Sequence, residues 1–151
     1  MVYIILAAGI FLLELFMKNR TEKWKEEGKE KAIWGGALRI RKYHNRGAFL
    51  NTGEKVSGFV AFLSLVLTVC IMILFAAAQG RKANRCFRAG LALLLGGACS
   101  NTCDRLCRGY VVDYFSFGVK WEWLRRIVFN ISDFCILTGA LLAVCSQEEM
   151  E

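Results

Sequence analysis

The chain has 151 residues, 56 % of them hydrophobic, with a mean hydropathy of +0.38 and a formal net charge of +7. That length allows one domain, and such hydropathy argues against an ordinary soluble globule. Proline is absent, so nothing interrupts long helices.

Hydropathy predicts four membrane spans, at roughly Val2–Met17, Val56–Ala78, Ala89–Cys103 and Ile127–Cys145. The second is fully long enough to cross a bilayer, while the first and third are short. Met1–Met17 is also the size of a signal peptide, but it lacks a basic start and Glu14 stands where a small-residue cleavage site belongs. Glu14 and Lys18 close this span. Four residues apart, they can pair along one helix face, and an ordinary interfacial pair explains them as well.

The charged stretch KNRTEKWKEEGKEKA (18–32) follows, read as a short interfacial helix anchored by Trp24. Then the period changes. Leu38, Ile40 and Lys42 alternate with Arg39, Arg41 and Tyr43, a strand pattern, and Gly35–Gly36 can turn the chain between two short strands. In YHNRGAFLN (43–51), Asn45 can donate and accept hydrogen bonds, Gly47 lets a ligand approach the backbone and Phe49 is apolar. These features suit a substrate-gripping loop and suit a plain turn equally. His44, the only histidine, reads as a surface or headgroup contact.

The third span carries Gly96, Gly97, Ala98 and Ser100, small residues that let helices approach closely. It ends at Asn101, Asp104 and Arg105. Arg105 and Arg108 can hold nearby carboxylates ionised. GYVVDYFSF (109–117) is apolar and β-branched around Asp113. Trp121 and Trp123 mark an interface, and the fourth span opens with Asn130 and Asp133.

Asp104, Asp113 and Asp133 thus sit at the edges of hydrophobic segments. A carboxylate beside hydrocarbon costs several kcal/mol unless paired or hydrated. Helix capping or ion pairing would account for any one of them. Three aspartates and two asparagines on one membrane side point to a shared site. Two aspartates from different segments suit aspartic hydrolysis, one as general base and one as general acid.

Seven cysteines form no C-x-x-C pair. Cys99, Cys103 and Cys107 would stripe one helix face, where apolar packing is favoured over a metal site. Eleven of the twenty Lys and Arg lie between Lys18 and Lys55, four between Arg81 and Arg88 and five between Arg105 and Arg126. Headgroup contact is the plainer use of such loops. No recognisable nucleic-acid module accompanies them. Raw charge puts the first loop in the cytoplasm, whereas the denser Gly80–Arg88 loop argues the reverse.

Taken together, these motifs resemble the lipoprotein signal peptidases (signal peptidase II), the aspartic membrane peptidases of bacteria, over nearly the whole chain. The family pattern D-x-x-x-K appears as Glu14 and Lys18. N-x-G-A-A-F appears, one residue short, as Asn45, Gly47, Ala48 and Phe49. G-G-A-x-G-N-x-x-D-R is Gly96, Gly97, Ala98, Ser100, Asn101, Asp104 and Arg105. G-x-V-V-D-F is Gly109, Val111, Val112, Asp113 and Tyr114, and F-N-x-A-D is Phe129, Asn130, Ser132 and Asp133. The chain departs at Glu14 for Asp, Ser100 for Gly and Ser132 for Ala, and in the shortened loop.

The resemblance implies four transmembrane helices, a small extracytoplasmic β-sheet between the first and second, and both termini in the cytoplasm. It implies a multi-pass protein of the bacterial cytoplasmic membrane whose site lies near the outer face. Asp113 and Asp133 match the catalytic dyad, Asp104 a structural aspartate, and Asn45, Gly47, Asn101, Arg105 and Asn130 supporting positions. The implied substrate is a prolipoprotein already carrying diacylglycerol on its cysteine. The expected partners are that substrate and membrane lipids, with no cofactor, no nucleic acid and a monomeric enzyme. A scaffold that kept the fold would not need both Asp113 and Asp133, and a small proton or ion transporter would place its acids near mid-span.

Overall fold

A computed structural model describes residues 1–23, 30–47, 56–80 and 83–146. Trp24, Ala48 and Phe49 lie outside them, and so do the expectations placed on them. The helices are α1 (Val2–Glu22), α2 (Ser57–Gln79), α3 (Arg85–Arg108), the short α4 (Glu122–Arg126) and α5 (Ile131–Cys145). The strands are β1 (Lys31–Ile33), β2 (Leu38–Asn45) and β3 (Val111–Phe117).

Helix α3 is the axis of the bundle, with α1, α2 and α5 all against it. The small residues are what let them in. A Cβ on Gly97 would lie 2.7 Å from the Ser132 carbonyl of α5, and one on Gly139 2.5 Å from Leu94 N of α3, so neither helix can approach so closely with a side chain there. The outward faces stay apolar: Ile5, Leu12 and Phe16 on α1, Phe59 and Phe62 on α2 and Leu137 on α5 are exposed. Exposed apolar area of this extent is more than a soluble monomer normally leaves to water. By length and apolarity, α1 and α2 can each cross a membrane, and α5 is a shorter apolar helix.

Three of the four spans have other bounds than the sequence reading gave: α5 starts at Ile131, four residues after Ile127, and α1 and α3 differ as well. Helix α1 does not end at Glu14 and Lys18 but runs on to Glu22, with both side chains inside the bundle, 0 % and 1 % exposed. Helix α3 starts four residues before Ala89 and ends five after Cys103. Its buried stretch runs from Gly90 to Asp104, and the polar ends beyond it are partly exposed.

The sheet is also larger than one loop. Strands β1 and β2 are antiparallel, joined through Trp34–Gly36, where all three residues take positive φ and two are glycines. The third strand, β3, comes from the connection between α3 and α5 and pairs antiparallel with β2. The apolar, β-branched stretch around Asp113 is therefore a sheet strand. A register shift between Ile40 and Tyr43 bends β2 across it. Gly109, in the left-handed region at φ 79°, ends α3 and aims the chain into β3.

Candidate active site

Strand β3 and helix α5 are pinned together just before the residues that matter. Phe129 pairs with Phe115: its carbonyl accepts from the Tyr114 and Phe115 amides (both 3.0 Å), and its own amide donates to the Phe115 carbonyl (2.7 Å). Phe115, Phe117, Phe129 and Phe134 then cluster ring to ring. This pairing leaves Asn130, the next residue, beside Asp113.

Asn130 joins the two aspartates. Its Nδ2 donates to Asp113 Oδ1 (2.6 Å). Its backbone amide donates to Asp133 Oδ2 (3.0 Å), and its Oδ1 accepts from the Asp133 amide (3.1 Å). The last two bonds form a capping box at the start of α5. Asp133 is thus part of the helix cap and, through Asn130, linked to Asp113. The remaining two oxygens have asparagine partners as well. Asn45 Nδ2, diagonally across the β2–β3 ladder, donates to Asp113 Oδ2 (3.2 Å), and Asn101 Nδ2 on α3 donates to Asp133 Oδ1 (3.1 Å). Each carboxylate oxygen of the pair accepts one bond from an asparagine. Gly47 N donates to Asn45 Oδ1 (3.1 Å), and Arg105 donates to the Gly47 carbonyl (3.4 Å) and the Asn101 carbonyl (3.5 Å), tying the end of β2 to α3.

Asp113 is 2 % exposed and lies on β3, outside the helices. Burial, and after it the Asp133 carboxylate, push its pKa up to about 7, against the pull of the Asn130 and Asn45 hydrogen bonds. A carboxyl with that affinity keeps its proton near neutrality beside a second carboxyl. Such a pair can share one proton, with one member accepting and the other donating.

Asp104 plays a different part. Its Oδ2 takes Lys18 Nζ (3.1 Å) and the Val112 amide (3.1 Å), and its Oδ1 takes Arg108 Nε (2.9 Å). It ties α3 to the start of β3, away from direct contact with the pair. Lys18 Nζ also donates to Ser100 Oγ and Asn101 Oδ1, both at 2.8 Å. Glu14, 3.5 Å from Lys18, accepts from Tyr114 OH (2.5 Å) and Ser132 Oγ (2.8 Å). The Glu14–Lys18 pair is therefore wholly buried rather than interfacial. Burial, and then Glu14, push the Tyr114 phenol's pKa well up, which keeps it a donor. From sequence Tyr114 is only a motif position, and its bond to Glu14 and the partners of Ser100 and Ser132 were missed. The signal lies in the departures at 14, 100 and 132 and in Tyr114 itself, where the pattern has F.

His44 is not simply at the surface. It bonds Glu22 (2.7 Å) and stacks on Tyr110, with centroids 4.0 Å apart. Cys103 and Cys107 bring their sulfurs to 4.0 Å. Among the described residues no group of three or more His, Cys, Asp and Glu side chains could hold a metal ion.

A family model described as "Signal peptidase (SPase) II" matches residues 6–147. A lipoprotein signal peptidase of Caldicellulosiruptor bescii is 32 % identical over 144 residues, covering 94 % of this chain and 87 % of its own length. One from Serratia marcescens is 30 % identical over 142 residues, covering 88 % and 79 %. A bacterial membrane enzyme solved by the in meso method at 2.3 Å resolution superposes with a TM-score of 0.80 at 22 % identity, covering 98 % of this chain and 88 % of that one. A second, at 1.9 Å, gives 0.77 at 20 % identity, covering 97 % and 92 %. The last two establish likeness of fold.

Proposed function

The chain belongs to the signal peptidase II family, and on that premise we propose that it removes the signal peptide from diacylglyceryl-modified prolipoproteins as an aspartic endopeptidase. The observation that carries the mechanism is the pair Asp113 and Asp133, drawn from different elements, bridged by Asn130 and held at every oxygen by an asparagine.

In the working state the pair holds one proton. The ionised carboxylate takes a proton from a water as its oxygen attacks the scissile carbonyl. The protonated carboxyl donates to the developing tetrahedral intermediate. When the C–N bond breaks, the carboxyl that took the water's proton gives it to the leaving amine of the lipidated cysteine, a hydroxyl of the tetrahedral intermediate returns its proton to the other carboxylate as the new carboxyl group forms, and the pair again holds one proton. The pair titrates as a unit, so the general base belongs to the pair rather than to one residue. The chemistry needs no metal or organic cofactor. Asn45, Asn101 and Asn130 keep the carboxylates fixed, Arg105 and Gly47 hold the loop beside them, and Asp104 ties β3 to α3.

Four helices, α1, α2, α3 and α5, cross the bacterial cytoplasmic membrane in this reading. Both termini lie in the cytoplasm and the sheet lies at the outer face. An apolar cavity of about 500 Å³ supports a lipid-bearing substrate. Its apolar wall is Met17, Ile33, Leu38, Ile40, Phe115 and Ile131, with Arg20, Thr21, Lys31 and Tyr114 completing the lining, and neither aspartate lines it directly. Substrate and bilayer lipids are the partners, and the enzyme acts as a monomer without nucleic acid.

The test is cleavage of a diacylglyceryl prolipoprotein by purified protein in detergent, followed by gel shift. Wild type should cleave, and Asp113→Asn and Asp133→Asn should each lose about 10⁴-fold or more in kcat, as loss of a reacting group does. Substantial turnover by either folded variant would refute the aspartic mechanism.

A further inference from the structure

The two residues that flank the pair in the chain are gripped by one carboxylate from another helix. Tyr114 follows Asp113, and Ser132 precedes Asp133. Glu14 Oε1 accepts from Tyr114 OH at 2.5 Å, and Glu14 Oε2 accepts from Ser132 Oγ at 2.8 Å. Tyr114 OH also accepts from the Ile131 amide (3.2 Å), so the contact reaches the first turn of α5 twice. We propose that Glu14 is a positioning residue that sets the spacing of Asp113 and Asp133 through their chain neighbours, and that Ser132 and Ser100 are its obligate partners in this chain. This rests on the proposed function for its turnover assay alone.

The hydrogen-bond inventory explains why the three act together. A lysine ammonium has three donors. Those of Lys18 go to Ser100 Oγ (2.8 Å), Asn101 Oδ1 (2.8 Å) and Asp104 Oδ2 (3.1 Å), all on α3. Glu14 stands off at 3.5 Å, a charge neighbour whose two oxygens are left for Tyr114 and Ser132. Ser100 thus takes the donor that the carboxylate would otherwise claim. The reach matters as well. An aspartate is shorter by one C–C bond, about 1.5 Å, and cannot hold both hydroxyls at these distances. Glu14, Ser100 and Ser132 are also the three positions at which the chain departs, within these helices, from the D, G and A of the pattern it resembles. All three departures meet in one buried cluster, which single substitutions would leave with an unpartnered hydroxyl or carboxylate.

Reversions test this. Glu14→Asp, Ser132→Ala, the double, and the triple with Ser100→Gly are purified in detergent. Each is assayed for kcat and KM across pH on the lipidated prolipoprotein, and its thermal melt is followed from pH 4 to 8. Each single should lower kcat about tenfold with KM nearly unchanged, and the triple should return to within about threefold of wild type, a coupling expected of directly bonded buried groups. In Glu14→Asp the alkaline limb of the rate profile should move to lower pH, because loosened carboxylates repel each other less. The triple should move it back. The pH at which Tm falls should follow the same order, which reads the brace without turnover. A single that fails to fold while the triple folds also supports the coupling. Costs that simply multiply, losses that track Tm with unmoved pH profiles, or a triple that fails where the singles fold would each overturn it. Wild type that does not cleave would instead sink the proposed function and leave the melting series to decide the brace.

Discussion

Asp113→Asn should make the protein inactive and, above neutral pH, more stable. Asp113 is buried on β3 with its pKa raised from 3.8 to about 7. An acid whose folded-state pKa lies above its unfolded value binds its proton more tightly when folded. Its contribution to stability is present below pH 3.8 and is lost progressively as pH rises to about 7, beyond which the full cost of a buried charge stands. At 1.36 kcal/mol per pH unit that cost is on the order of 4 kcal/mol. Asparagine is neutral at every pH and nearly the same shape. It still accepts from one asparagine, but its NH₂ group faces the other donor of Asn130 or Asn45. Losing that bond takes back about 1 kcal/mol. The net expectation is about 3 kcal/mol of stabilisation at pH 8, falling through zero to a slight loss near pH 4. Thermal melts of both proteins in the same detergent, from pH 4 to pH 8, read the difference directly. A ΔTm that is flat with pH would show that Asp113 carries no strained charge, and the proton-sharing pair would lose its electrostatic basis.

Asp104→Asn should leave catalytic groups in place but lower the folding stability by on the order of 3 kcal/mol at pH 7, read as a fall in Tm, because it strips the charge that Lys18 and Arg108 both pair with. Normal stability with no turnover would move Asp104 into the chemistry. The same prolipoprotein without its lipid should be cleaved slowly or not at all, and globomycin, which blocks the family, should inhibit. Equal rates on the two substrates would favour a general membrane protease. A single cysteine at Trp34, 82 % exposed between β1 and β2, should react with an impermeant reagent in intact cells when the native seven are removed. Labelling only after permeabilisation would invert the topology.

The helices were legible because their composition is nearly uniform, and α2 above all needs no partner to be read as a span. What hydropathy misjudged was where helices end. Glu14 and Lys18 read as the end of the first span because two charges in hydrocarbon are costly alone. They are not alone: Asp104, Asn101, Ser100, Tyr114 and Ser132 surround them from α3, β3 and α5. That compensation comes from residues about 82 to 118 positions away, so no local window contains it. The same holds for β3. Its residues read only as apolar and β-branched, its partner β2 lies before α2, and only the folded chain sets Asn45 against Val111 and Tyr43 against Asp113.

The site was legible to a different depth. Each aspartate could be suspected singly from its setting, and the order of motifs raised the suspicion for Asp113 and Asp133 together. The asparagines tell more once distances are known. Asn130 serves as helix cap and as the link between the carboxylates with one side chain and one amide, so its dual role cannot be inferred from either alone. Capping needs a short polar side chain at the N-terminus of α5, and the pair needs a donor between its oxygens. A residue that meets both demands ties the geometry of the site to the first turn of a bundle helix. Movement of α5 and its cap relative to β3 would break the Asn130–Asp113 bond and separate the carboxylates in the same step. This gives a physical reason for the density of restraint at that junction, with Phe129 paired to Phe115, four phenylalanines clustered beside it and Glu14 reaching in from α1.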